Sequence, residues 1–242
     1  MRFIIILISS ILLMGQSFAQ KQVSQQYAAK GMNKLQLKFD FPKTVKLQTW
    51  DKEEVLVRAS VSINGGENDE AFLLNSDTKD GVLFISNTIK DREKLPKTYV
   101  INSKQGKLFF KTKQALREYM GNKEGGWNYW GEQTDIDITV EVFVPAALAT
   151  QAEAVYGLVE VRNFDAPLQV KATYGGIDAA LSEKQANSLS ATTKFGQIYT
   201  NLSLQYAEKK EQDFYSYIST VKNGTPAYSF TANYGNLYLR KR

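Results

Sequence analysis

From Leu35 onward, apolar and polar residues alternate with a period of two. Leu35, Leu37 and Phe39 fall on one face of a short segment, and Val45 and Leu47 repeat the arrangement. The longest early run sends Val55, Val57, Ala59, Val61 and Ile63 inward and the residues between them outward, the signature of a half-buried strand. Asp80-Gly81 then introduces Val82-Leu83-Phe84-Ile85, a turn pair of the kind that joins hairpin strands. A further strand places Ile136, Ile138, Val140, Val142 and Val144 inward, and Pro145, which cannot donate to a ladder, closes it. The pattern predicts an all-β chain.

Between about residues 90 and 133 the alternation stops. Thr112 to Met120 has helical spacing, with Ala115, Leu116 and Tyr119 near one face, and Gly121 and Asn122 are expected to end it. A Gly-Gly-Trp-Asn-Tyr-Trp-Gly phrase follows at 125–131. The segment reads as a loop with a short helix, inserted between strands.

The C-terminal half carries a repeat. Ala-Val-Tyr-Gly-Leu-Val-Glu-Val at 154–161 returns as variants at 172–179, 193–200 and 232–239. Its glycines stand at 157, 175, 196 and 235, spaced by 18, 21 and 39 residues. A period near twenty built from short alternating segments predicts a β-solenoid, and the double spacing suggests a degraded copy in between. Val159, Ile177, Ile198 and Leu237 are expected inward; Glu160, Asp178, Tyr199 and Tyr238 outward. Tyr156, Tyr174, Phe195 and Tyr234 would form a file, each above the last. Such a file is either a stacking surface for sugar rings or a ladder whose members stack on each other; the structural reading is preferred.

The ends and the composition narrow the setting. Arg2, an apolar run from Phe3 to Met14, and Ser17-Phe18-Ala19 read as a signal peptide over residues 1–19, followed by one β-solenoid domain at 20–242 with its insertion at about 90–133. The mature chain has no stretch long enough to span a bilayer. The chain has no Cys and no His. That excludes disulfide staples, a lipid-accepting Cys, Ser-His-Asp and Cys-His nucleophile systems and ordinary zinc sites. No phosphate-binding loop or nucleophile elbow is present, and no cofactor is expected. Residues 90–124 hold ten Lys/Arg against four Asp/Glu. This basic window is either a solvated loop, the preferred reading, or a contact for anionic glycans or lipids.

Three phrases together resemble the DUF4097 adhesin-like family: Trp-Asp-Lys-x-x-Val-x-Val at 50–57, Ile-Thr-Val-Glu-Val-Phe-Val-Pro at 138–145, and the Tyr-Gly-x-Val/Ile rungs that follow. DUF2807 adhesin head domains are related. The resemblance covers roughly residues 34–89 and 134–242. It implies a single-stranded right-handed β-helix in an exported protein of the Gram-negative envelope, and it supplies no catalytic residues. The insertion departs from the family pattern.

Function is therefore expected to be binding rather than catalysis, with a glycan or an envelope protein as partner and no nucleic acid. Trp127, Tyr129 and Trp130, with Lys111 and Lys113, are the candidate contacts; the same aromatics would alternatively cap one end of the coil. A rival reading is a β-helix enzyme acting on an acidic polysaccharide, and a third is a structural or regulatory envelope subunit. Asp135 and Asp137 share an outward strand face, but solvated acids are the preferred reading, with no cleft to shift a pKa. The periplasm is expected over the cell surface.

Overall fold

The computed structural model describes residues 20–103, 106–121, 130–186, 188–220 and 227–242. The chain begins with β1 (Lys21–Ala28), β2 (Lys34–Phe39), β3 (Thr44–Trp50), β4 (Glu54–Ile63), β5 (Phe72–Lys79) and β6 (Val82–Ile89). The inserted segment contains β7 (Thr98–Ser103), β8 (Gly106–Phe110), α1 (Lys113–Gly121) and β9 (Trp130–Gln133). Next come β10 (Ile136–Pro145), β11 (Ala149–Tyr156), β12 (Leu158–Val161), β13 (Leu168–Tyr174), β14 (Ile177–Leu181) and the single turn α2 (Glu183–Ala186). The last strands are β15 (Leu189–Thr193), β16 (Ile198–Thr200), β17 (Tyr206–Gln212), β18 (Tyr215–Thr220), β19 (Tyr228–Ala232) and β20 (Leu237–Lys241).

Among the described residues these strands form three sheets. Sheet I runs β1-β4-β10-β3-β12-β14-β20-β16, sheet II runs β17-β18-β15-β19-β13-β11-β2-β6-β5, and sheet III is β8-β7-β9. From β10 to β16, neighbours in sheet I are parallel. The same holds in sheet II from β15 to β6. The chain repeatedly lays a strand in sheet II, turns a corner, and lays the next in sheet I. The rungs so formed are β2–β3, β11–β12, β13–β14, β15–β16 and β19–β20.

The inward residues of both sheets make one core, because a rung can bury its apolar face only against the rungs beside it. Val55, Val57, Ala59, Val61 and Ile63 are fully buried, as are Ile138, Val140, Val142 and Val144. Val159, Ile177 and Leu237 are buried as the repeat requires, whereas Ile198 is only half-buried. It lies on β16, the edge strand of sheet I, with no rung beyond it.

The all-β expectation matches these sheets, but they are mixed rather than the product of a single-stranded parallel coil. β4 runs antiparallel between β1 and β10, β5 is antiparallel to β6, and β18 and β17 continue antiparallel beyond β15. Nor do the rungs stack in chain order. β19–β20 lies between β13–β14 and β15–β16. The double spacing before the last glycine therefore does not hide a degraded copy. Its residues supply the β17–β18 hairpin, which covers the far side of β15 and leaves the near side for β19.

The helix expected over Thr112–Met120 is α1, displaced by one residue at each end. The Thr112 hydroxyl caps it by accepting a hydrogen bond from the Ala115 backbone N–H at 3.1 Å. Leu116 is its buried residue. The proposed signal peptide, 1–19, lies outside the described residues. Among the described residues no helix is long and apolar enough to cross a membrane.

Candidate functional site

The corner between the two sheets is built on glycine because backbones meet there with no room for a side chain. A Cβ on Gly175 would stand 1.7 Å from the carbonyl oxygen of Gly157, and one on Gly235 would stand 2.2 Å from that of Gly175. Gly196 is barred in the same way by the Gly235 carbonyl, at 2.1 Å. Hydrogen bonds follow the same spatial order: Leu158 N–H to Lys43 O, Val159 N–H to Gly176 O, Ile177 N–H to Asn236 O, and Leu237 N–H to Gln197 O, all 2.9–3.0 Å.

Each corner glycine follows an aromatic residue, so the parallel register brings the rings into a strip. Tyr156 stacks on Tyr174 with centroids 5.3 Å apart, Tyr174 on Tyr234 at 5.2 Å, and Tyr234 on Phe195 at 4.9 Å. The file exists as expected, but its order is Tyr156, Tyr174, Tyr234, Phe195 rather than the order of the chain. Phe214, at the tip of the β17–β18 hairpin, continues it with a tilted contact to Phe195 at 5.6 Å. The four stacked rings are each about half exposed, and Phe214 is 72% exposed. Phe214 also has φ +61°, a left-handed conformation costly for a bulky residue. This conformation belongs to the two-residue turn Asp213-Phe214, which joins the paired residues Gln212 and Tyr215.

Within the strip, the faces of Tyr174, Tyr234 and Phe195 are covered by neighbouring rings, which leaves their edges as the exposed part. A sugar ring stacks on an aromatic face, so the strip is poorly suited to that contact. Edges suit a protein surface, where Tyr and Phe are over-represented.

The outward file of sheet I is largely paired. Lys46 meets Glu141 at 3.2 Å, and Asp178 accepts from Arg162 and from Arg240. Tyr199 stacks on Tyr238 at 5.2 Å. Asp137 lies 3.7 Å from Lys43. Asp135 departs from the solvated-acid expectation: its carboxyl is held above the usual range, mainly by burial and secondarily by the Asp137 charge, with Lys43 opposing.

The insertion residues are described only in part. Trp127 and Tyr129 lie outside the described residues. Trp130 opens β9, opposite Ile101 in β7. Lys111 is ion-paired with Glu67, and Lys113 is an exposed first residue of α1. Phe214 went unread because it lies outside the repeat; its one signal is an aromatic just before an alternating segment, after Asp213.

Among the described residues no group of three or more His, Cys, Asp or Glu could hold a metal ion. No protein-family model matches the sequence. No curated protein matches it either. Two solved structures show a loose likeness. One is a "putative cell adhesion protein" from Clostridium sporogenes, 8% identical, with TM-score 0.48 over 92% of this chain and 100% of that one. Another is a "putative adhesin" from Bacteroides fragilis, 11% identical, with TM-score 0.22 over 92% of this chain and 97% of that one. At these scores neither decides the fold or the ligand.

Proposed function

We propose that this chain is a non-enzymatic, adhesin-like binding protein of the bacterial envelope, whose corner strip docks a protein partner. The observation that carries the proposal is the unbroken file from Tyr156 to Phe214, every member at least half exposed. Contiguous exposed apolar surface of this kind marks interaction sites in soluble proteins. Burying the strip would desolvate five aromatic side chains at once, the residue class that dominates interface hot spots. The phrases resembling DUF4097 and the leader-like residues 1–19 support export, with the periplasm preferred, and a right-handed coil as the underlying form.

The test is retention of envelope proteins on the immobilised mature chain, compared with a Tyr174→Ala/Phe195→Ala variant. Protein species retained by the parent and lost by the folded variant support the proposal. Equal retention by both contradicts it. Trp127, Tyr129, Trp130, Lys111 and Lys113 stay in the proposal as a second contact region. Replacing Trp127 and Trp130 by Ala is then expected to weaken binding at unchanged Tm, and a fall in Tm instead assigns them to capping.

The raised Asp135 carboxyl beside Asp137 favours one rival, hydrolysis of a polysaccharide with Asp135 as general acid. Release of reducing ends from anionic polysaccharides, abolished by Asp135→Asn, would establish it. The proposed binding role predicts no release.

A further inference from the structure

Five residues before each corner aromatic stands an uncharged polar residue: Gln151 before Tyr156, Gln169 before Tyr174, Ser190 before Phe195 and Ser229 before Tyr234. The parallel register turns this into a straight row across the outer face of sheet II. Gln151 is opposite Gln169, Gln169 opposite Ser229, and Ser229 opposite Ser190. The antiparallel β18 adds Ser219 opposite Ser190. Five strands are crossed, so the row spans about 19 Å at about 4.8 Å per step.

This row lies in a cleft of about 870 Å³ that also takes in Lys34 and Tyr217. Three serines in succession leave the floor low, and Tyr217 stands in the neighbouring row, opposite Thr192. Among the described residues, no other ring packs against Tyr217, and no hydrogen bond engages the side chains of Gln169, Ser190, Ser219 or Ser229. The Gln151 carbonyl oxygen accepts from Lys34 Nζ at 2.9 Å and from Gln36 Nε2 at 3.4 Å, which leaves its own N–H₂ to donate. The cleft therefore offers amide and hydroxyl donors and acceptors at strand pitch, beside one aromatic ring.

Charge selects among ligands. From Gln151 to Ser219 the row holds no ionisable group; Glu208 continues it opposite Ser219 on β17. Lys34 donates to the neutral Gln151 amide and keeps its charge at one end of the cleft, and Lys171 in the neighbouring row is paired with Glu153 at 3.3 Å. Lys210, opposite Tyr217 on β17, is paired with Glu208. An anionic chain would find one cation without a carboxylate partner, Lys34 at one end, and the Glu208 carboxylate at the other, and an apolar one would strand the hydroxyls and amides without partners. A neutral polyhydroxylated chain satisfies both conditions. It can exchange hydrogen bonds with Gln and Ser and stack one ring on Tyr217, the contact that the corner strip denies.

We infer that the sheet II cleft is a second binding site, for a neutral oligosaccharide lying across the strands along Gln151, Gln169, Ser229, Ser190 and Ser219. This site is separate from the corner strip and does not depend on it.

The test is an array of neutral hexasaccharides (glucans, mannans, chitin) beside uronate hexasaccharides, at low and high salt. It compares the parent with Ser229→Arg, Tyr217→Ala and the corner variant Tyr174→Ala. Expected is salt-insensitive binding of a neutral hexasaccharide, weakened about tenfold or more by Ser229→Arg and by Tyr217→Ala, and retained by Tyr174→Ala. If Ser229→Arg does not fold, Gln169→Ala, at an exposed position of the same row, replaces it. Three results overturn the inference: no neutral hexasaccharide bound, binding confined to uronates and removed by salt, or parent-like binding by the folded cleft variants. Loss in Tyr174→Ala alone would move the sugar to the corner and also overturn it.

Discussion

The phenol of Tyr234 lies flat on the ring of Phe195, 4.9 Å between centroids and 4° between planes, although 39 residues separate them along the chain. The contact exists because β19 pairs with both β13 and β15, placing the last rung inside the stack. Strands β19 and β20 are thus internal members of the two large sheets, and the corner strip depends on them.

Deleting residues 228–242 should therefore do more than trim the edges of the sheets. It removes the rung that joins β14 to β16 and uncovers the inward residues on both sides. Loss of a cooperative thermal transition is expected. A deletion variant that keeps one with only a small fall in Tm would contradict the internal placement.

The corner glycines should resist the smallest substitution. Gly175→Ala would drive a methyl group into the Gly157 carbonyl, and relief requires moving the backbone of two rungs. More than about 4 kcal/mol of destabilisation is expected, a large share of the roughly 5–15 kcal/mol that holds a domain folded. Gly121→Ala, where nothing lies within 4 Å, should change stability by less than about 0.5 kcal/mol. Paired urea melts of the two variants check the contrast.

Tyr228 is buried, donates to the Phe164 carbonyl at 2.9 Å and accepts from Gln185 Nε2 at 2.9 Å. Burial is the main cause that pushes its pKa up to about 12, with the Gln185 hydrogen bond opposing. A phenol raised in the folded state contributes stability that is whole below the unfolded value of 10.0 and is lost as pH rises from there through about 12. Tyr228→Phe should cost about 1–2 kcal/mol at neutral pH and flatten the alkaline fall in Tm. Parent and variant Tm curves that stay parallel from pH 9 to 12 would refute this.

Asp135 gives the opposite test on the acid side. Its carboxyl is raised in the folded state, so its ionisation destabilises the fold. The stability it contributes is whole below the unfolded value of 3.8 and is lost as pH rises from there through the raised folded value. Asp135→Asn should raise Tm at pH 7 and leave it unchanged at pH 3. An equal effect at both pH values would rule out the titration.

Much of the fold was legible because inward and outward positions alternate so regularly. Val55 to Ile63, Ile138 to Val144, the glycine corners and α1 all follow from local pattern. The rung order was not legible, since β19 is placed by pairing with strands far away in the chain. Tyr206–Gln212 is almost wholly polar and exposed, so β17 carries no inward–outward pattern by which its pairing with β18 could be read. The aromatic file was legible as a file; its exposure and its covered ring faces were not. The row of Gln and Ser was visible as a spacing, yet these residue types signal little until the register aligns them beneath Tyr217.

The most direct measurement is photo-cross-linking in the producing cells, with a benzoylphenylalanine placed at Tyr174 or, as a control, at Phe84, an exposed aromatic on β6. The proposal predicts a discrete protein cross-link from position 174, absent from position 84 and lost when Phe195→Ala and Phe214→Ala are added. No cross-link at 174, or the same products from both positions, would contradict docking at the corner strip.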